Sequence, residues 1–156
     1  MAEYSLLILE DDPAHIEAIR HAFESAEPPA EIRVASTVRD YCDLVADRPP
    51  DIALIDLNLP DTNPQEALCL LSETTPFPVV VMTSMGSEEI AVAAMKLGAA
   101  DYLIKSPETF ADMPRFLHRA LLSRKTTSVS AGRVIKEAFS AYRDLADSKP
   151  PSTSDS

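Results

Sequence analysis

Short apolar runs alternate along this chain with longer segments of helical period. The runs Leu6 to Leu9, Ile32 to Ala35, Ile52 to Ile55, Val79 to Met82 and Tyr102 to Ile104 have the length and the leucine-rich or β-branched character of strands. Between them, apolar residues recur at the spacing of one helix face. The first helix is expected after Pro13, with Ile16, Ile19, Ala22 and Phe23 inward, and fails at Pro28-Pro29. Ser36 or Thr37 caps a second helix carrying Val38, Tyr41, Leu44 and Val45, and Pro49-Pro50 ends it. Asn63, Pro64 and Glu66 form a helix-start pattern for a third, running to about Glu73. Ser87 is the expected cap of a fourth through Ile90, Ala94 and Leu97, with Gly98 as a left-handed stop. A last core helix should hold Phe110, Phe116, Leu117, Ala120 and Leu121.

Strict alternation of strand and helix is the signature of βαβ units, which place helices on both faces of a parallel sheet. Continuous apolar strands such as Ile52-Ala53-Leu54-Ile55 agree with burial on both sides. The expected fold is therefore α/β, a doubly wound (βα)5 sheet of flavodoxin-like order 2-1-3-4-5. Its switch point lies beside the carboxyl ends of the first and third strands. This domain should span residues 1–123. Residues 124–156 read as a polar linker, an amphipathic helix with Val134, Ile135, Ala138, Phe139, Tyr142 and Leu145 on one stripe, and a disordered tail from Lys149. That extra C-terminal helix either packs back on its own domain or serves self-association or docking on another protein. Residues 133–145 also loosely resemble the helix that leads into a sensory PAS domain, so a domain cut from a longer hybrid protein is an open alternative.

Composition narrows the partners. The net charge of −11 disfavours nucleic acid or an anionic membrane, because the summed field repels polyanions. No apolar run has the length of a spanning helix, and the N-terminus lacks a basic region ahead of an apolar stretch. A cytoplasmic location is expected. Cys42 and Cys69 have neither metal-ligand nor redox spacing, and are read as small apolar fillers within helices.

The chemistry lies at the strand ends. Glu10-Asp11-Asp12 follows the first strand, Asp56 the third, Thr83-Ser84 the fourth and Lys105 the fifth. In a parallel sheet these ends open onto one edge, so the groups should converge although they lie far apart in sequence. Crowded carboxylates resist ionisation unless a cation neutralises them. Mg²⁺ takes oxygen ligands and often bridges carboxylates to a phosphoryl group. The cluster reads as a metal site that handles phosphate.

With these residues in place, the chain resembles the receiver domain of two-component response regulators over roughly residues 4 to 123. Five elements carry the resemblance in order: Glu10-Asp11-Asp12, the segment Asp56-Leu57-Asn58-Leu59-Pro60-Asp61, Thr83-Ser84, the run Lys96 to Tyr102, and Lys105. The resemblance implies a signalling switch rather than an enzyme, catalysing only its own phosphorylation and dephosphorylation. Asp56 would accept the phosphoryl group from a histidine kinase or phosphotransfer protein. Asp11 and Asp12 would be the acidic pair for Mg²⁺, together with Asp56, the backbone carbonyl of Asn58 and, as a further candidate, Glu10. Thr83 and Lys105 would bind the phosphoryl group, with Ser84 as an added candidate and Tyr102 as the aromatic switch. Output through the fourth helix, fifth strand and fifth helix, to a second copy or a downstream protein, is the corresponding expectation.

An aspartate can form an acyl phosphate where a metal and a cation stabilise the transferring charge, which supports those roles independently. The sequence departs from the family pattern at Asn63-Pro64, where glycine is usual, and at Ser106, which separates Lys105 from Pro107; Met85 stands two residues past Thr83. The alternative function is a pseudo-receiver, an interaction module without phosphoryl transfer. An enzyme binding flavin or a phosphate ester is disfavoured, because a phosphate-binding loop should follow the first strand with glycine, serine or threonine donors, and Glu10-Asp11-Asp12-Pro13 would repel an anion unless a metal intervened.

Overall fold

The computed structural model describes residues 2–60, 62–73, 76–84 and 88–123. Five strands, β1 (Tyr4–Leu9), β2 (Ala30–Ala35), β3 (Ile52–Asp56), β4 (Val79–Thr83) and β5 (Asp101–Ile104), form one parallel sheet of order β2-β1-β3-β4-β5. The helices between them are α1 (Pro13–Phe23), α2 (Val38–Asp47), α3 (Pro64–Glu73), α4 (Glu88–Lys96) and α5 (Pro107–Ala111), followed by a further helical segment, α6, at 113–123. This is the expected flavodoxin-like arrangement, with β1 between β2 and β3.

The pleat sends alternate strand residues to opposite faces, and two cores result. Leu7, Leu9, Ala53, Ile55, Val79 and Val81 pack with Tyr41 of α2, Leu70 of α3 and Ala94 of α4. On the other face Leu6, Ile8, Ile52, Leu54, Val80 and Met82 meet Ile19 and Phe23 of α1, Phe110 of α5, and Met113 and Leu117 of α6. Burial of both faces explains why β1, β3 and β4 read as unbroken apolar runs.

Local chemistry sets the helix ends. Asp12 caps α1, its side chain accepting from the Ala14 N–H, and Pro13 takes the first turn, where a missing N–H costs nothing. Thr37, rather than Ser36, caps α2 by accepting from Asp40 N–H. Gly98 follows α4 with φ 103°, a left-handed conformation that glycine adopts without a Cβ clash.

Two expectations change. The last core helix is two segments, because Pro114 has no N–H to bond the preceding turn. The Asp112 carbonyl starts α6 instead, accepting from Arg115 and Phe116 N–H groups. Cys42 lies on the exposed face of α2, so it is no apolar filler, while Cys69 is half-buried. The Ser87 cap, Asp61, Met85 and the linker, amphipathic helix and tail of residues 124–156 lie outside the described residues.

Leu54 is fully buried at the centre of the second core. Leu54→Ala should therefore lower the unfolding free energy in urea by about 2–5 kcal/mol, the range for a leucine truncated in a close-packed interior. A loss under about 1 kcal/mol would show that this strand is not packed as described.

Candidate functional site

Strand register places the chemical residues side by side. Leu9 pairs with Ile55, Asp56 with Met82, and Thr83 with Ile104. The ladder continues past the strands. Glu10 N–H bonds the Ala35 carbonyl at 2.9 Å, Leu57 N–H the Met82 carbonyl at 2.9 Å, and Lys105 N–H the Thr83 carbonyl at 3.0 Å. Glu10, Asp56, Thr83 and Lys105 are thus fixed by backbone bonds at one edge.

Glu10, Asp11 and Asp56 come together, each offering a carboxylate oxygen, with these oxygens all within 4.8 Å of one another. The structure puts Glu10, not Asp12, beside Asp11. Asp12 turns away because the chain enters α1 at Pro13, and Asp12 Oδ1 bends back to accept from Ala14 N–H at 2.8 Å. Among the described residues the carboxylates grouped with Asp56 are thus those of Glu10 and Asp11, whereas the sequence reading paired Asp11 with Asp12 and kept Glu10 as a further candidate. Glu10 is fully buried; its Oε2 accepts from Asp12 N–H at 3.0 Å. Its Oε1 has no hydrogen bond of acceptable angle, although Lys105 Nζ is 3.0 Å away, so that contact is ionic.

Asp56 is 1% exposed. Its Oδ2 accepts from Lys105 Nζ at 2.8 Å and its Oδ1 from Asn58 N–H at 2.9 Å. Burial pushes the Glu10 carboxyl above its ordinary value, the Asp12 N–H bond pulls against that, and the neighbouring Asp56 charge adds to the rise. For Lys105, burial alone lowers the pKa. The hydrogen bond to Asp56 and the charges of Asp56 and Glu10 outweigh it, and the ammonium is held above its ordinary value.

The remaining sequence candidates surround this group. Thr83 is buried at the end of β4, and its neighbour Ser84 is exposed. Ser84 N–H donates to Asn58 Oδ1 at 2.7 Å, which ties the loop after β4 to the loop after β3. Asn58 entered the sequence reading only through its carbonyl, so this side-chain role was missed. Tyr102 sits on β5 at 38% exposed, with Ile104 beside it at 36%, rather than in the core. Ser106, the departure after Lys105, caps α5 by accepting from Thr109 N–H at 3.0 Å, and Thr109 Oγ1 donates to the Ile104 carbonyl at 2.7 Å.

One residue at the site went unnoticed in the sequence. His15 of α1 brings Nδ1 to 3.3 Å from Lys105 Nζ and 3.6 Å from Glu10 Oε1, and Nε2 to 3.5 Å from Asp12 Oδ2. Its spacing of three residues from Asp12, one helix face, was the available signal.

The comparisons with known proteins agree with this geometry. The response regulator receiver domain family matches residues 6–114. The photosynthetic apparatus regulatory protein RegA of Rhodobacter capsulatus is 36% identical over 150 residues, 94% of this chain and 80% of RegA. The regulatory protein LuxO of Vibrio cholerae is 42% identical over 79 residues, 50% of this chain but only 17% of LuxO. Among solved structures, the Mn(2+)-bound form of response regulator Rcp1 superposes with a TM-score of 0.65 at 21% identity, covering 72% of this chain and 93% of that one. That likeness shows the fold. Among the described residues no helix is long and apolar enough to cross a membrane. The family match, which covers β2 to β5, most of β1 and every residue of the acidic edge, shows that this chain belongs to the response regulator receiver domains, the signalling modules of two-component systems.

Proposed function

We propose that the chain is a phosphorylation-dependent switch that accepts a phosphoryl group on Asp56 from a histidine kinase or phosphotransfer protein, with Mg²⁺ as cofactor. The observation that carries this reading is a buried aspartate whose Oδ2 is 2.8 Å from a lysine ammonium and which shares an oxygen cluster with Glu10 and Asp11. In the reaction an Asp56 oxygen forms a bond to phosphorus as the bond from phosphorus to the donor breaks. Lys105 offsets the charge carried in. Only hard oxygen donors are present in the acidic group, and the buried Glu10 Oε1 lacks a well-directed hydrogen bond, which suits a hard divalent cation. Glu10, Asp11, Asp56 and the Asn58 carbonyl would hold it, supplying charge neutralisation. The Mn(2+)-bound form of Rcp1 supports a divalent ion in a related fold. Asp12 serves this site as the helix cap beside it.

Signal output would run through Thr83, Ser84 and Tyr102 to the β4-α4-β5-α5 face, where Val92, Met95, Tyr102 and Ile104 are exposed apolar residues. A second copy or a downstream protein is the proposed reader. The curated relatives matched by only a short span, such as LuxO, are much longer than this chain, so their full activities are not carried over.

Acetyl phosphate with Mg²⁺ should add one phosphoryl group to the wild type and none to Asp56→Asn by intact mass. Asp11→Ala should weaken Mg²⁺ binding by about tenfold or more, equivalent to about 1.4 kcal/mol. Full labelling of Asp56→Asn would end the assignment of Asp56 as acceptor, whereas a wild type that takes no label would leave an interaction module as the function of the fold. Hydrogen exchange on phosphorylation should change more in residues 83–84 and 88–102 than in 14–46; a uniform response would reject this output route.

The raised Glu10 carboxyl predicts a pH dependence of the metal-free protein. Unfolded Glu10 loses its proton at about its ordinary value of 4.5, but the folded protein holds it to higher pH. Across that window the native state binds more protons, so this group's contribution is complete below 4.5 and is lost as pH rises through the folded value. With chelator present, Glu10→Gln should therefore gain urea resistance relative to wild type as pH rises from 4.5 towards neutrality. Parallel curves for the two proteins would contradict the buried-acid account.

A further inference from the structure

Lys105 is held from three sides, and one of its partners stands outside the acidic group. Nζ lies 2.8 Å from Asp56 Oδ2, 3.0 Å from Glu10 Oε1 and 3.3 Å from His15 Nδ1. Only the Asp56 and His15 contacts have the angles of hydrogen bonds. A lysine ammonium donates and never accepts, so a hydrogen bond between the two requires Nδ1 to be the unprotonated nitrogen of the ring, although Glu10 Oε1 lies 3.6 Å from the same nitrogen. A neutral imidazole then carries its hydrogen on Nε2. That nitrogen faces Asp12 Oδ2 at 3.5 Å, while Asp12 Oδ1 is fixed by its bond to Ala14 N–H. The ring is also braced against Phe110, with centroids 5.1 Å apart at 40°.

These contacts form one chain, from the cap of α1 through the imidazole to the ammonium and on to Asp56. We propose that His15 is a positioning residue for Lys105, and that Asp12 sets the His15 tautomer which makes this possible. The proposal rests on the reading of Lys105 as the phosphoryl-binding cation. Asp56 and Glu10 are both members of the carboxylate cluster that a cation and a phosphoryl group would engage. His15 is the partner left to hold the ammonium in place when those two carboxylates are occupied. Asp12 gains a role distinct from metal binding, and the His15 ring links α1 to the β5-α5 connection.

The test combines nitrogen NMR with phosphorylation rates on the full chain. In metal-free wild type, the imidazole nitrogen shifts should report a hydrogen on Nε2 and none on Nδ1; a hydrogen on Nδ1 overturns the proposal. Asp12→Asn keeps the cap only by turning its amide oxygen to Ala14, which points its NH₂ group at Nε2. The ring hydrogen should then move to Nδ1, against the ammonium, and the rate with acetyl phosphate should fall by about tenfold, as for other supporting contacts of a site. His15→Phe, which keeps the ring contact and loses the acceptor, should slow the reaction similarly at saturating Mg²⁺, where any effect on metal affinity through the neighbouring Glu10 is removed. His15→Asn, which returns an acceptor near the place of Nδ1, should restore most of the rate. A wild-type rate in His15→Phe, or no recovery in His15→Asn, overturns the positioning role. A wild type that takes no phosphoryl group at all refutes the proposed function instead, and the tautomer in that protein still decides whether His15 accepts from Lys105.

Discussion

The site depends on a single ammonium group set among carboxylates. Glu10 and Asp56 are sealed from water at adjacent strand ends, and two buried negative charges side by side are unfavourable. Lys105 touches both, at 3.0 and 2.8 Å, and its own backbone is bonded to the Thr83 carbonyl, so the neutralising charge is anchored to the sheet. Breaking such a pair by removing one member leaves a buried charge unmatched, which costs more than the pair itself contributes. Any process that adds negative charge at Asp56 must therefore change the forces on Lys105. This is the physical basis for treating the edge as a switch.

Much of this was legible in the sequence. Strands buried on both faces are continuous apolar runs, and proline and cap residues punctuate the helices, so order and topology follow from pattern alone. Convergence of Asp56, Thr83 and Lys105 needs only that topology. Three consecutive acids were harder to resolve. Which of Glu10, Asp11 and Asp12 faces the edge depends on where the strand ladder ends and α1 begins. Glu10 still bonds Ala35 across the ladder, whereas Asp12 is already the cap before Pro13. An aspartate directly before a proline at a helix start is a cap pattern, and that signal competed with the metal reading. The position of His15 was set by packing against Phe110 from a distant part of the chain, which no local pattern reports. The break at Pro114 and the exposure of Cys42 show the same limit, because a helical stripe gives a period without saying where the helix is interrupted or which edge of the stripe meets water.

The loops around the site are tied to one another as well as to the strands. Asn58 links Asp56, through its N–H, to Ser84, through its side-chain oxygen. Ser106 and Thr109 fasten the segment behind Lys105. Under the proposed function, a change at Asp56 would reach these loops through hydrogen bonds. In that proposal the sheet would fix the reacting groups and the loops would carry the response, as a local charge change can bias a wider element.

The most direct measurement is chemical location of the phosphoryl group. After reaction with acetyl phosphate and Mg²⁺, borohydride reduces an aspartyl phosphate to homoserine, which marks the acceptor permanently in a peptide digest. The account predicts homoserine at position 56 and at no other aspartate, with the yield falling when Lys105 is replaced by alanine. Homoserine at Asp11 or Asp12, or a phosphorylated protein that yields none, would contradict it.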